Sequence, residues 1–202
     1  MRATPRPVRK NAPMTNVSMW GIYGERPEPN HDLDEVFGAM RVEGHRSIAC
    51  SAEAAWALVS DISRIGEFSP ECVDAWWVDE ACARTVGARF EGRNRVRTEQ
   101  GDIEWVRPCD VVEWVPLETF SWTVGDRFDG TPATRWRYRI EPGDGGIVLR
   151  ETFAHVADGL SGIRGAAEAN PDHAAVIVRS RSEDLEVGID RTLAAMARIL
   201  EG

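Results

Sequence analysis

The stretch EDLEVGIDRTLAAMARIL, Glu183 to Leu200, decides the fold. Set on a helical wheel at ~100° per residue, it gathers Leu185, Ile189, Leu193, Met196, Ile199 and Leu200 on one side. Asp184, Asp190, Arg191 and Arg198 fall away from that side, and Glu186 borders it. The apolar arc is broad, with Gly188 and Thr192 inside it. A broad stripe on one long helix needs a wide surface to bury against, and a sheet supplies one. Each of its four largest residues contributes ~1.5–3 kcal/mol when fully buried. Gly188 costs roughly 1 kcal/mol relative to Ala in a helix interior. Either space is wanted at that point or the glycine is simply tolerated. Upstream, Ala174, Ala175 and Val178 keep the phase of Leu185, so one helix is expected from about 173 to 200, with Asp172 as a cap after Pro171. Arg181 and Ser182 interrupt the apolar side, so that end is expected to project past the sheet.

Working back from the helix, the period becomes two. Val73, Ala75 and Trp77 alternate with Asp74 and Trp76. Phe90, Gly92 and Asn94 alternate with arginines and Glu91. Ile103, Trp105, Arg107 and Cys109 share one parity. Phe120, Trp122 and Val124 form the next set, Trp136, Tyr138 and Ile140 another, and Leu149, Glu151, Phe153 and His155 the last. Such alternation marks an antiparallel sheet with one wet face. Glu141 to Gly146 reads as a hairpin turn with Asp144-Gly145 at its tip. Val42 to Cys50 supplies the first strand. Ser51 then caps a helix carrying Ala52, Ala55, Trp56 and Val59 on one face, and a second short helix is expected over 62–68. Ala157 to Pro171, with three glycines, reads as a loop or loose helix.

Residues 1–40 stand apart. The first 30 are rich in Pro, Arg and Asn without a period and are expected to form a flexible arm. A short helix is expected over 32–40, where Leu33, Val36, Phe37 and Met40 sit at helical spacing and Asp32 with Glu35 resembles a capping box. It would dock on the domain or cover a cavity mouth; alternatively, translation starts at Met40. The domain proper is expected to run over 41–202.

Composition narrows the partners. With 202 residues and 43% hydrophobic residues, the chain holds enough for one core. A net charge of -9 argues against nucleic acid or an anionic membrane as partner. Cys50, Cys72, Cys82 and Cys109 form no CxxC pair and read as thiols of a reducing compartment. The basic N-terminus is followed by no apolar h-region, so no signal peptide is expected. No apolar run approaches the ~18 residues of a membrane span. A cytoplasmic protein without integral membrane contact is the expectation.

The order of one strand, two short helices, a meander of six further strands or so and a long terminal helix is that of a helix-grip, an α+β fold of six to seven strands curved around the C-terminal helix. The words Ser51-AEAAWALVS-Asp61, Phe68-Ser-Pro70, Val86-GARFEGR-Asn94 and Thr134-RWRYRIE-Pro142 resemble the polyketide cyclase/dehydrase branch of the START-like (SRPBCC) superfamily from about Val42 to Gly202. The resemblance implies an apolar small molecule held between sheet and helix, and it is specific for the fold rather than for a reaction.

On that resemblance the parities name the cavity face: Trp77, Phe90, Asn94, Trp105, Phe120, Trp122, Trp136, Tyr138, Leu149, Glu151 and Phe153, with Ile189 and Leu193 from the helix. Aromatics around an enclosed space suit a flat ligand, or they fill the core outright. Asn94 and Glu151 are polar residues in an apolar register, and a buried polar group needs a partner. The two bind each other, a water, or a ligand hydroxyl or carbonyl. A buried Glu151 would have a raised pKa and is the candidate general acid or base. Asp61 reads as a cap, His155 as a surface or loop-facing residue, and Arg135, Arg137 and Arg139 as an outward ladder with acidic partners. His31, with Asp32, Asp34 and Glu35, reads as a solvated acidic face, and no metal is expected. Gly159-LSG-Ile163 is not a nucleophile elbow, because Ile stands where Gly is required. No phosphate loop or dinucleotide fingerprint is present, so no cofactor is expected. The leading reading is a binding protein for a lipid, polyketide or aromatic metabolite. The alternatives are a polyketide cyclase or dehydratase using Glu151 with Asn94 or Tyr138, and a co-chaperone-like protein-partner role.

Overall fold

In the computed structural model, residue 28, residues 30–99 and residues 101–202 are described. The flexible-arm expectation falls almost wholly on residues outside that set. Seven antiparallel strands form one sheet: β1 (Arg41–Ile48), β2 (Cys72–Trp77), β3 (Arg89–Thr98), β4 (Gly101–Val115), β5 (Thr119–Gly125), β6 (Pro132–Gly143) and β7 (Gly146–His155). Their order is β1-β7-β6-β5-β4-β3-β2. Among the described residues, only the β1–β7 pairing joins strands distant in sequence; the rest is a meander of neighbours. The helix-grip expectation is met.

Four α-helices accompany the sheet among the described residues: α1 (Asp34–Gly38), α2 (Ala52–Val59), α3 (Gly162–Ala169) and α4 (Ala174–Glu201). Ser51 caps α2 through its hydroxyl, which accepts from the Ala54 amide. The second short helix forms as a 3-10 turn over Ile62–Glu67, with Asp61 accepting from the Ser63 amide. The terminal helix matches its expected range and packs mainly on β1. Leu185, Ile189, Leu193 and Met196 are buried, whereas Ile199 is exposed. Asp172 does not cap α4; a Pro171–His173 turn leads directly into it. Arg181 is not left projecting, since it pairs with Glu71 at 2.9 Å. No described helix is long and apolar enough to cross a membrane.

The glycine that sets helix against sheet is Gly44, not Gly188. A Cβ on Gly188 would meet only Pro70 at 3.9 Å. A Cβ on Gly44 would lie 2.6 Å from Cγ2 of Ile189 and 3.4 Å from Cδ1 of Leu193. The close approach is therefore on the strand, where the helix ridge presses into a sheet position without a side chain.

The helix expected over 32–40 forms as a His31–Leu33 turn running into α1. Its cap is Asn30, whose side chain accepts from the Asp32 amide, rather than an Asp32–Glu35 box. This segment is seated in the fold. Leu33, Phe37 and Met40 are buried. Arg164 of α3, fully buried, donates to the Asn30 carbonyl at 2.7 Å, Asp34 at 2.7 Å, Glu168 at 3.0 Å and the Ala157 carbonyl. Its guanidinium also lies 5.5 Å from the Phe37 ring centroid. A buried guanidinium is tolerable only with such full pairing.

Candidate functional site

The concave face of the sheet is lined with rings in mutual contact. Trp77 meets Phe90 at 5.6 Å, Phe90 meets Trp122 at 6.1 Å, Phe120 meets Trp122 at 4.9 Å, and Trp122 meets Tyr138 at 5.5 Å between centroids. Trp136 and Phe153 form a separate edge-to-face pair at 5.1 Å. Alternation placed these side chains on one face, and the register carries them across neighbouring strands: Trp136 opposes Phe153 and Tyr138 opposes Glu151.

Two rings of this wall escaped the alternation argument. Trp114 of β4 contacts Trp56 of α2 at 5.2 Å and Phe120 at 5.2 Å. Continued along β4 from Cys109, the period of two would aim Trp114 outward. The register shifts between Val111 and Glu113, so Val111 opposes Trp122 but Trp114 opposes Phe120. That bulge turns Trp114 inward and Glu113 outward. Glu113 then accepts from Arg135 and Arg137, each at 2.9 Å, on the convex face. Arg139 pairs with Glu141 at 3.4 Å, completing the expected ladder. Trp56 was legible as part of the α2 face but not as a partner of the sheet aromatics.

Glu151 sits at the centre of β7, opposite Gly44 on one side and Tyr138 on the other. It is 4% exposed. The Tyr138 hydroxyl donates to its Oε1 at 3.3 Å. Its Oε2 is buried and has no hydrogen-bond partner among the described residues. Burial pushes the carboxyl up to about 8, only partly offset by the Tyr138 hydrogen bond. Burial, with the Glu151 carboxyl beside it, pushes the Tyr138 hydroxyl well above its ordinary range. The sheet thus holds a protonated acid and a phenol side by side in an apolar wall, beneath Ile189 and Leu193.

Asn94 does not join this pair. It lies on β3, with β4, β5 and β6 between it and β7. It is half-buried, and its side-chain amide donates to the Gly92 carbonyl at 3.3 Å. Cross-strand register places Asn94 against Trp105, also half-buried, and against Cys72. Burial raises Cys72 to about 11 and Cys109 well above the usual thiol range, so neither is a ready nucleophile.

His155 is buried rather than surface-facing, at 5% exposure, because α1 covers it: its ring lies 4.6 Å from that of Phe37. Nδ1 faces the Val156 carbonyl and Nε2 lies 2.7 Å from the Ser161 hydroxyl. A carbonyl only accepts, so Nδ1 carries the proton and Nε2 accepts from Ser161. Burial lowers its pKa to about 4. Both ring nitrogens are satisfied, and among the described residues no carboxylate bonds to them as a catalytic dyad requires. His31 binds Asp34, which also holds Arg164.

Two concavities open on the surface. One, of about 510 Å³, lies between Cys50–Ala52, Leu117 and the β6–β7 hairpin. The other, of about 580 Å³, lies between Arg89, Val106–Pro108 and the 126–130 loop. Neither is lined by Glu151 or Tyr138.

Residues 39–201 match a family described as polyketide cyclase/dehydrase and lipid transport. A polyketide-cyclase-like protein of Corynebacterium glutamicum, known from a solution structure, is 34% identical; 80% of this chain and 91% of that chain are covered, with a TM-score of 0.58. The protein MLL2253 of Mesorhizobium loti is 16% identical over 79% of this chain and 96% of its own, with a TM-score of 0.53. The di-domain ARO/CYC StfQ of the steffimycin biosynthetic pathway is 11% identical over 80% of this chain and 50% of its own, with a TM-score of 0.56. The last two are similar in fold alone. No curated protein matches.

Proposed function

The chain belongs to the polyketide cyclase/dehydrase and lipid transport family, and on that premise we propose that it binds an apolar small molecule between its curved sheet and α4. The observation that carries this reading is Oε2 of Glu151, buried in an aromatic wall with no partner among the described residues. A core built for stability alone gains nothing from a carboxyl there, since leaving a buried polar atom unpaired costs ~1–3 kcal/mol. A ligand supplies what the fold withholds. Trp122, Tyr138, Phe153, Ile189 and Leu193 would contact its body, and Trp77, Phe90, Phe120 and Trp136 would extend the wall.

A second reading is favoured by the carboxyl titrating near 8. Such a group gives or takes a proton close to neutral pH, as a cyclase or dehydratase acting on a folded chain would need.

Native mass spectrometry of the protein purified from its own host tests both. A releasable extra mass supports the pocket. That mass remaining unchanged on incubation identifies a carrier, and its conversion identifies an enzyme. A clean apo mass, with no binding from a panel of lipids and apolar aromatics, would show that the interior is core only and favour a protein partner.

A further inference from the structure

Away from Glu151 and Tyr138, the concavity between Arg89, Val106–Pro108 and the 126–130 loop gathers arginines around an apolar floor. Strand β4 pairs with β5 only from Cys109, opposite Val124. Arg107 therefore lies beyond the end of β5, where the 126–130 loop takes that strand's place. A Cβ on Gly130 would meet the Pro108 ring at 3.7 Å, so the loop is seated against β4.

Arg107 differs from its neighbours in lacking an acid. Every other arginine of the seven strands forms an ion pair with a carboxylate. Among the described residues Arg107 forms none, and its Nη1 donates to the Val106 carbonyl at 2.8 Å. Burial and the Arg127 charge beside it push its guanidinium below the usual range, and Asp126 offsets this only in part. A desolvated cation next to a second cation is costly until an anion joins them.

The loop fixes its own cation. Asp126 is buried, and its Oδ1 accepts from the amides of Phe128 at 2.8 Å, Asp129 at 3.0 Å and Gly130 at 3.3 Å. Asp129 accepts from the Thr131 amide at 2.9 Å and from its hydroxyl at 2.6 Å. Both carboxylates are thus engaged in building the turn. The Arg127 guanidinium rests 4.6 Å from the Phe128 ring centroid. Arg89 stands at the rim, bound to Asp110 at 2.9 Å.

We infer that this hollow is a binding site separate from the interior, for a carboxylate carried on a flat apolar body. Arg107 and Arg127 would hold the carboxylate, and Phe128, Pro108 and Val106 would line the body. Guanidinium groups match carboxylate and phosphate oxygens alike. The charges nearby select between them. Arg89 is neutralised by Asp110, while Asp126 and Asp129 set negative charge behind the two remaining guanidinium groups. A monoanion tolerates that background better than a phosphate dianion does.

Naphthoate, naphthyl phosphate and naphthalenemethanol test this, since they share a ring system and differ in charge. Titration of the full chain followed by NMR should give saturable shifts of the Gly130 amide and the Arg107 Nε–H with naphthoate, while the alcohol leaves both in place. Naphthoate should bind there more tightly than the phosphate. Its affinity should fall about ten- to hundredfold in Arg107→Gln and in Arg127→Gln, the worth of one charge-assisted hydrogen bond. Arg127 is half-buried on a loop, so its replacement tests the site even if Arg107→Gln unfolds.

Absence of shifts with all three probes, an equal response to the alcohol, or unchanged affinity in Arg127→Gln would overturn the site. Tighter binding of the phosphate would overturn the choice of a carboxylate. These readouts involve neither Glu151 nor Tyr138, so they stand or fall independently of the interior pocket.

Discussion

Replacing Glu151 by Gln is expected to change how stability depends on pH, and two buried groups set the size of the change. In the folded chain the Glu151 carboxyl titrates near 8, against an ordinary 4.5. Between those values the folded chain holds a proton that the unfolded chain releases. Stability therefore falls as pH rises, by about 1.4 kcal/mol per pH unit for one group. His155 acts with the opposite sign. It titrates near 4 when folded, against an ordinary 6.5, so across that range the unfolded chain holds the extra proton and stability rises with pH. The two slopes oppose each other between 4.5 and 6.5 and largely cancel. From 6.5 to 8 Glu151 acts without that opposition, and the wild type loses roughly 2 kcal/mol. The shifted carboxyls of Asp34, Glu43, Glu53 and Glu67 all titrate below 4.5, outside this window. In Glu151→Gln the alkaline fall should disappear, leaving a His155 rise of roughly 3 kcal/mol from pH 4 to 6.5. Urea unfolding followed by tryptophan fluorescence, at several pH values for both proteins, measures this directly. Parallel stability profiles for wild type and Glu151→Gln between pH 6.5 and 8 would refute the claim that Glu151 is held protonated by burial.

Four further perturbations follow from the packing. Gly44→Ala should cost ~1–3 kcal/mol by driving a methyl into the stiff Ile189 side chain, and adding Ile189→Ala should recover part of that loss; a silent Gly44→Ala would show that α4 is not seated there. Arg164→Met should lose ~3–5 kcal/mol by stranding the groups it pairs. A chain beginning at Met40 should be destabilised too, because Asn30 and Asp34 leave with the truncated segment; equal urea midpoints for full-length and shortened chains would contradict the docking of α1. Glu113→Gln, on the half-exposed convex ladder, should change stability by less than about 1 kcal/mol, and a loss several times larger would mean the ladder is structural.

Much of the fold was legible because side-chain direction follows spacing. A period of two and a period of 3.6 each send alternate residues to a face whatever the neighbours are. The concave positions of Phe90, Phe120, Trp122, Tyr138, Glu151 and Phe153 came from that rule, as did the seat of Ile189 and Leu193. Glu151 stood out as a carboxyl in an apolar register, and the structure finds it buried beside Tyr138. The same rule could not see that three strands separate Asn94 from it, because parity assigns a face and says nothing of distance along the sheet. His155 was misread because its cover, Phe37, comes from a segment more than a hundred residues away in the chain.

By itself, then, the sequence determined the strands, the terminal helix and the face each side chain takes, since these depend on local spacing and burial. Only the tertiary structure decided which of those side chains meet. One extra residue at Val112 reverses parity and brings Trp114 into the wall. The absence of a side chain at Gly44 lets α4 press onto β1 beside Glu151. Arg164, an ordinary arginine in the sequence, becomes the buried post to which α1 is tied. Each depends on contacts between residues far apart in the chain, and no periodicity records those.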